Sequence, residues 1–112
     1  MNNIKRLSLL HDSFISDFLE NSFNQFEKDI PFELDFIDEG IIPASVMTYV
    51  VWMFDPMILK DISKVTNHEG AWEVVVKSGV EIKRYNQIAE YFARAINFTS
   101  IDSIYELTLK YE

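Results

Sequence analysis

Asn67-His68-Glu69-Gly70-Ala71-Trp72-Glu73-Val74-Val75-Val76-Lys77-Ser78-Gly79 is the stretch on which the fold turns. Asn67 can cap a helix and Gly79 can stop one, and a helix over 68–78 is the reading adopted. The same residues from Trp72 to Lys77 also suit a strand, because valine and tryptophan are enriched on pleated, half-buried surfaces. As a helix the stretch completes an all-α bundle. As a strand it belongs to a small sheet.

Working toward the N-terminus, Asp55-Pro56 reads as a cap followed by a first-turn proline, opening a helix to about Val65 with Ile58, Leu59 and Ile62 inward. Pro43 to Phe54 is apolar nearly all round, which predicts a buried helix in spite of Val46, Thr48, Val50 and Val51. Phe32-Glu33-Leu34-Asp35-Phe36 alternates apolar and acidic residues, the period of a strand or of an extended loop pinned by its aromatic residues. From Asp12 or Ser13 to Lys28, the residues Phe14, Ile15, Phe18, Leu19, Phe23 and Phe26 make one apolar stripe opposite Asp17, Glu20 and Glu27, an amphipathic helix. Ile4, Leu7 and Leu10 suggest a short helix before it.

Toward the C-terminus, Tyr85, Ile88, Ala89, Phe92, Ala95 and Ile96 predict a helix over about Val80 to Asn97. Thr99 or Ser100 can cap a last helix with Ile101, Ile104, Tyr105 and Leu109 inward. The expected fold is therefore all-α, a single domain over 1–112 built as a bundle of six or seven short helices. The alternative is α+β, with a small sheet from 32–37, 46–54 and 72–77.

The 112 residues are 48% apolar and 25% charged, a balance that supports a packed core and argues against disorder. There is no cysteine, which excludes disulfides and thiolate metal sites. Lys5 and Arg6 precede a short apolar run that meets His11 and Asp12 too early for a signal segment. The apolar run Val46 to Phe54 is far short of the roughly 20 residues that span a bilayer. The chain is expected to be cytoplasmic, with no membrane contact.

The net charge of −8 is concentrated in one region. Asp12 to Asp55 holds ten of the eighteen acidic residues and a single base, Lys28, while the remainder is nearly neutral. Such a field attracts cationic surfaces and repels nucleic-acid phosphates. Lys83, Arg84 and Arg94 form the main basic group, of which Lys83 and Arg84 can balance the acidic face within the fold or in a dimer.

Catalytic and metal chemistry finds little footing. His11 and His68 stand apart, and Trp72 occupies the place where a zinc-protease helix beginning at His68-Glu69 needs its second histidine. Glu33, Asp35, Asp38 and Glu39 are four carboxylates in seven residues, but Phe36 and Ile37 interrupt a calcium-ligand spacing and Gly40 follows the acids. Gly40, Gly70 and Gly79 are isolated, so no phosphate loop exists, and no nucleophile elbow is present. No cofactor, metal or catalytic activity is expected.

The informative pattern is aromatic residues among acids. Phe32 and Phe36 sit between Glu33, Asp35, Asp38 and Glu39, and an aromatic anchor ringed by charge is a common form of binding hot spot. Together with Asp17 and Glu20 on the helix before it, this segment is the candidate partner-binding surface. The whole-chain profile, small, cysteine-free and acidic in one region, resembles the immunity proteins that accompany bacterial toxins, including those of contact-dependent growth inhibition, especially over Glu33-Leu34-Asp35-Phe36-Ile37-Asp38-Glu39. That resemblance implies a protein that neutralises a cationic toxin domain, of nuclease type, by covering its active site or substrate path. A regulatory or adaptor domain and a DNA-mimic inhibitor of a defence nuclease are the alternatives.

Overall fold

Glu69 and Gly70 have φ of 50° and 93°, and that pair of positive angles overturns the helical reading of the deciding stretch. Two successive residues with positive φ make the primed two-residue turn whose twist matches a β-hairpin. Asn67 does act through its side chain, but as a turn residue: its Oδ1 accepts the Gly70 N–H at 3.1 Å. The computed structural model describes residues 13–39, 43–99 and 105–112, with backbone alone for 13–19, 38 and 39.

Around the turn lie β2 (Ile62–His68) and β3 (Ala71–Val76), paired antiparallel from Ile62↔Val76 to His68↔Ala71 with an irregularity between Ile62 and Lys64. Val65, Asn67, Trp72 and Val74 are buried on one face of this hairpin. Lys64, Thr66 and Glu73 fall on the other. The expected helix from Asp55 to Val65 shrinks to a single turn, α3 (Ile58–Asp61).

Each strand of the hairpin gains a parallel neighbour. β1 (Asp35–Glu39) pairs with β2 from Asp35↔Lys64 to Glu39↔His68, and β4 (Glu106–Tyr111) pairs with β3 from Ala71↔Glu106 to Val76↔Tyr111. The result is a four-stranded mixed sheet in the order β1-β2-β3-β4. The fold is therefore α+β, and the all-α bundle is wrong. Residues 106–111 form a strand where a last helix was expected, because Leu107 and Leu109 alternate with Glu106, Thr108 and Lys110 at the strand period. Of the three strands in the alternative reading, those near 32–37 and 72–77 are present and 46–54 is helical. The expected leading helix at 4–10 and the cap residues Asp12 and Ser100 lie outside the described residues.

The helices cover one face of the sheet. α1 (Ser13–Asp29), α2 (Ala44–Phe54) and α4 (Ile82–Thr99) fall close to their expected places. α2 is apolar nearly all round because it is enclosed from Ala44 to Val51, where it packs among α1, α4, β1 and β2. The buried hydroxyl of its Thr48 donates to the Ala44 carbonyl one turn back at 2.9 Å. Tyr49, Met47 and Val51 of α2 share one core with Phe92, Ile88 and Ile96 of α4 and with Val65, Val74 and Val76 of the hairpin. α1 docks through Phe23 and Phe26, whose rings lie 5.1 and 5.5 Å from that of Tyr49, with Trp52 5.6 Å from Phe26.

α2 joins β1 to β2, and α4 joins β3 to β4. Both helices lie on the same face, yet the two parallel pairs run in opposite directions across the sheet. The two crossovers consequently have opposite hands, so one of them departs from the right-handed rule for parallel connections.

Candidate functional site

Pro31 and Leu34 build the platform for the candidate surface. The Leu34 N–H donates to the Pro31 carbonyl at 3.1 Å, closing a turn with Phe32 and Glu33 at its centre. Leu34 is buried and anchors the turn in the core. That anchoring leaves Phe32 wholly exposed, at 103% of its reference area. Beside it, Glu33 lies 3.5 Å from Lys77 and remains mostly in water. Asp35 is exposed at the start of β1, in register with Lys64.

Phe36 lies in register with Val65 on the helix-covered face, where it is partly buried and packs against the core. Glu20 is exposed on α1, and Asp17 lies one turn before it. Asp38 and Glu39 take register positions opposite Asn67 and His68. β1 is an edge strand, so the carboxylate-rich segment borders the sheet.

The topology brings further apolar residues to the Phe32 end. β1 and β2 start there, while β3 and β4 finish there. The C-terminus of α2, the single turn α3 and the N-terminus of α4 complete that end. The exposed large apolar side chains of the described residues are Phe32, Met53, Phe54, Met57, Ile82, Phe98 and Tyr111. All but Phe98 belong to these converging segments, and Phe54, Met57 and Ile82 were not legible as surface residues. The available signal was positional: Asp55-Pro56 interrupts the chain after Phe54, and Ile82 opens its helix, so neither has a preceding or following turn to cover it.

Polar bonds hold this end together. The Lys77 N–H donates to the Asp61 carbonyl at 2.9 Å, and the Tyr111 hydroxyl donates to the Val80 carbonyl at 3.0 Å. Tyr111 also stacks on Tyr85, with ring centroids 4.6 Å apart. The Arg84 guanidinium donates to Asp55, to Asp61 at 2.7 Å and to Gln87 at 2.7 Å. Burial by itself would lower the pKa of Arg84, but the hydrogen bonds and charges of Asp55 and Asp61 outweigh it and raise it above the ordinary value. The arginine thus balances acids within the fold, one of the two roles expected of it.

A shallow depression of ≈ 310 Å³ lies on the sheet face away from the helices, lined by Ile37, Lys64, Thr66, His68, Glu73 and Thr108 among others. The Thr66 hydroxyl is buried there without a hydrogen-bond partner. Among the described residues no group of three or more histidines and carboxylates is placed to hold a metal ion. Among them also, no helix is long and apolar enough to cross a membrane. No protein-family model, curated protein or solved structure matches the chain.

Proposed function

We propose that this chain is an inhibitory binding protein of the toxin-immunity kind, which docks its Phe32 end against a cationic toxin domain of nuclease type and blocks that domain's access to substrate. The observation that carries the reading is the full exposure of Phe32 on a turn whose neighbours are Glu33 and Asp35. Leaving a phenylalanine in water forgoes roughly 2 kcal/mol or more of burial, and a partner pocket recovers it. The flanking carboxylates supply what the aromatic ring cannot, long-range attraction and orientation toward a basic surface. A nuclease is basic where it meets phosphate, so its substrate path is the natural target of an acidic edge. Such a pair would meet in the cytoplasm, without direct nucleic-acid contact by the inhibitor.

The placement of charge disfavours the DNA-mimic alternative. Lys64 on β2 and Lys77, just past the end of β3 and 3.5 Å from Glu33, place bases beside the acidic edge, so carboxylates do not run on over a long surface as duplex phosphates do. An adaptor that binds a neutral partner would use the same aromatic turn but not its charge.

The test is capture from the native host with the whole chain, followed by binding of the recovered domain to variants. Wild-type chain is expected to retain a basic nuclease domain in equal amount and to suppress its cleavage of nucleic acid. Phe32→Ala should weaken that complex by roughly 30-fold, mainly through faster dissociation. Asp35→Lys should slow association and flatten its salt dependence. Unchanged affinity in both variants removes the assigned surface, and recovery of the chain alone removes the class.

A further inference from the structure

The two edges of the sheet differ in kind. β1 carries Asp35, Asp38 and Glu39 in five residues, and pairing it with its own copy would bring acid onto acid. β4 carries no such guard. Its sequence, taken with the residue before it, is Tyr105-Glu106-Leu107-Thr108-Leu109-Lys110-Tyr111. About Thr108 this segment is self-complementary: leucine mirrors leucine, tyrosine mirrors tyrosine, and Glu106 mirrors Lys110.

The backbone has the matching parity. Glu106 N–H donates to the Gly70 carbonyl at 3.0 Å, and Glu112 N–H donates to the Val76 carbonyl at 2.7 Å. Residues separated by an even number along a strand point their backbone groups the same way. Even-numbered residues of β4 therefore turn their N–H and C=O groups toward β3, and Leu107 and Leu109 turn theirs to the free edge. In the sheet order that edge has no strand beside it among the described residues.

We propose that β4 is a homodimerisation edge, on which the β4 of a second copy of this chain adds antiparallel with the two-fold axis at Thr108, making one continuous eight-stranded sheet. In this register Leu107 faces Leu109 of the second copy as a hydrogen-bonded pair, and both such pairs satisfy outward-facing backbone groups. Glu106 faces Lys110 of the second copy, and Thr108 faces Thr108, in the closer non-hydrogen-bonded pairs where opposite charges and threonine pairs are favourable. Lys110 already approaches Glu73 of its own chain at 3.4 Å with its side chain 57% exposed, which leaves it able to meet a second carboxylate. On the helix side, Leu107, Leu109 and Tyr105 are only partly buried by their own chain, and their mirror images extend the covered layer. The contact lies on the edge opposite β1, so each copy keeps its Phe32 turn free and a toxin complex would have two inhibitors and two targets. It does not depend on the proposed function: a dimer can form whether or not a toxin is bound.

Sedimentation velocity from micromolar to millimolar concentration tests the association. The wild-type chain should shift to twice its monomer mass, while Glu106→Lys and Lys110→Glu should each lose dimer affinity by roughly tenfold or more, because like charges then face each other. Mixing the two variants should restore a dimer, since both cross-strand pairs then join opposite charges. A second variant tests the register. The chain has no cysteine, so Thr108→Cys carries a single thiol, and at the two-fold axis its Cα lies about 4.5 Å from its mate, within disulfide range. Mild oxidant should cross-link Thr108→Cys rapidly and Ser78→Cys, an exposed control, slowly. A wild-type chain that stays monomeric to millimolar concentration, or equal cross-linking at the two positions, overturns the proposal.

Discussion

Tyr49 shows how one residue couples the core to pH. Its ring is the centre of the aromatic group that joins α1 to α2. Burial pushes its phenol above the usual value of 10.0, and a side-chain hydrogen bond with Ser22 pulls the other way without cancelling the shift. Because the folded chain holds this proton more tightly than the unfolded chain, the associated stability is fully present below pH 10 and falls as pH rises through the folded pKa. In denaturant titrations, Tyr49→Phe should therefore lose less stability than wild type above that pH, the two curves converging by up to about 1.4 kcal/mol per pH unit. Parallel curves would show that Tyr49 ionises equally in both states. At this scale the sequence did not separate an exposed aromatic residue from a packed one. Leu34 and Phe36 alternate with acids in the chain just as Phe32 does. Only the turn between Pro31 and Leu34 separates the exposed ring of Phe32 from the packed ring of Phe36.

Elements with a helical stripe were legible and elements joined by a tight turn were not. α1, α2 and α4 appear within two residues of their expected boundaries: in α1 and α4 a 3.6-residue stripe over three or more turns has no strand equivalent, and in α2 a long apolar run opened by Pro43 suits a buried helix. The hairpin was missed because its turn is Glu69-Gly70, not an asparagine–glycine or aspartate–glycine pair, and because Asn67 bonds a backbone N–H three residues on, as a helix cap also does. β4 was missed because isoleucines at 101 and 104 extended a false helical period into it. The docking of α1 makes an element-level prediction. Phe26 is fully buried between Phe23, Tyr49 and Trp52, and Phe26→Ala should cost about 3–5 kcal/mol. Trypsin should then cut faster after Lys28, near the end of α1. Unchanged cleavage alongside a full loss of stability would mean that α1 stays attached by other contacts.

Across the whole molecule, charge and topology are sorted together. The acid-rich segment supplies α1, α2 and the edge strand β1, and the nearly neutral remainder supplies the hairpin, α4 and β4. The charge boundary was readable in the chain, but its meaning as an edge was not, since strand order depends on pairings far apart in sequence. Hydrogen exchange should report the same organisation. The amides that join β2 to β3 are enclosed on both sides and should exchange slowest, while those that join the edge strands should exchange faster, because opening an edge disrupts fewer neighbours. Equal protection across all four strands would contradict this order.

The two crossovers of opposite hand carry a kinetic consequence. The hairpin can close through a turn of two residues, whereas each parallel edge must wait for a whole helix to find its seat. Assembly is then expected to run from the middle outward, with the edge strands last to arrive and first to let go. The two surfaces proposed for other molecules adjoin those late-arriving strands, one on the turn that leads into β1 and one on β4. Whatever docks there also acts as a clasp, lengthening the life of the half of the sheet that the chain alone holds least firmly.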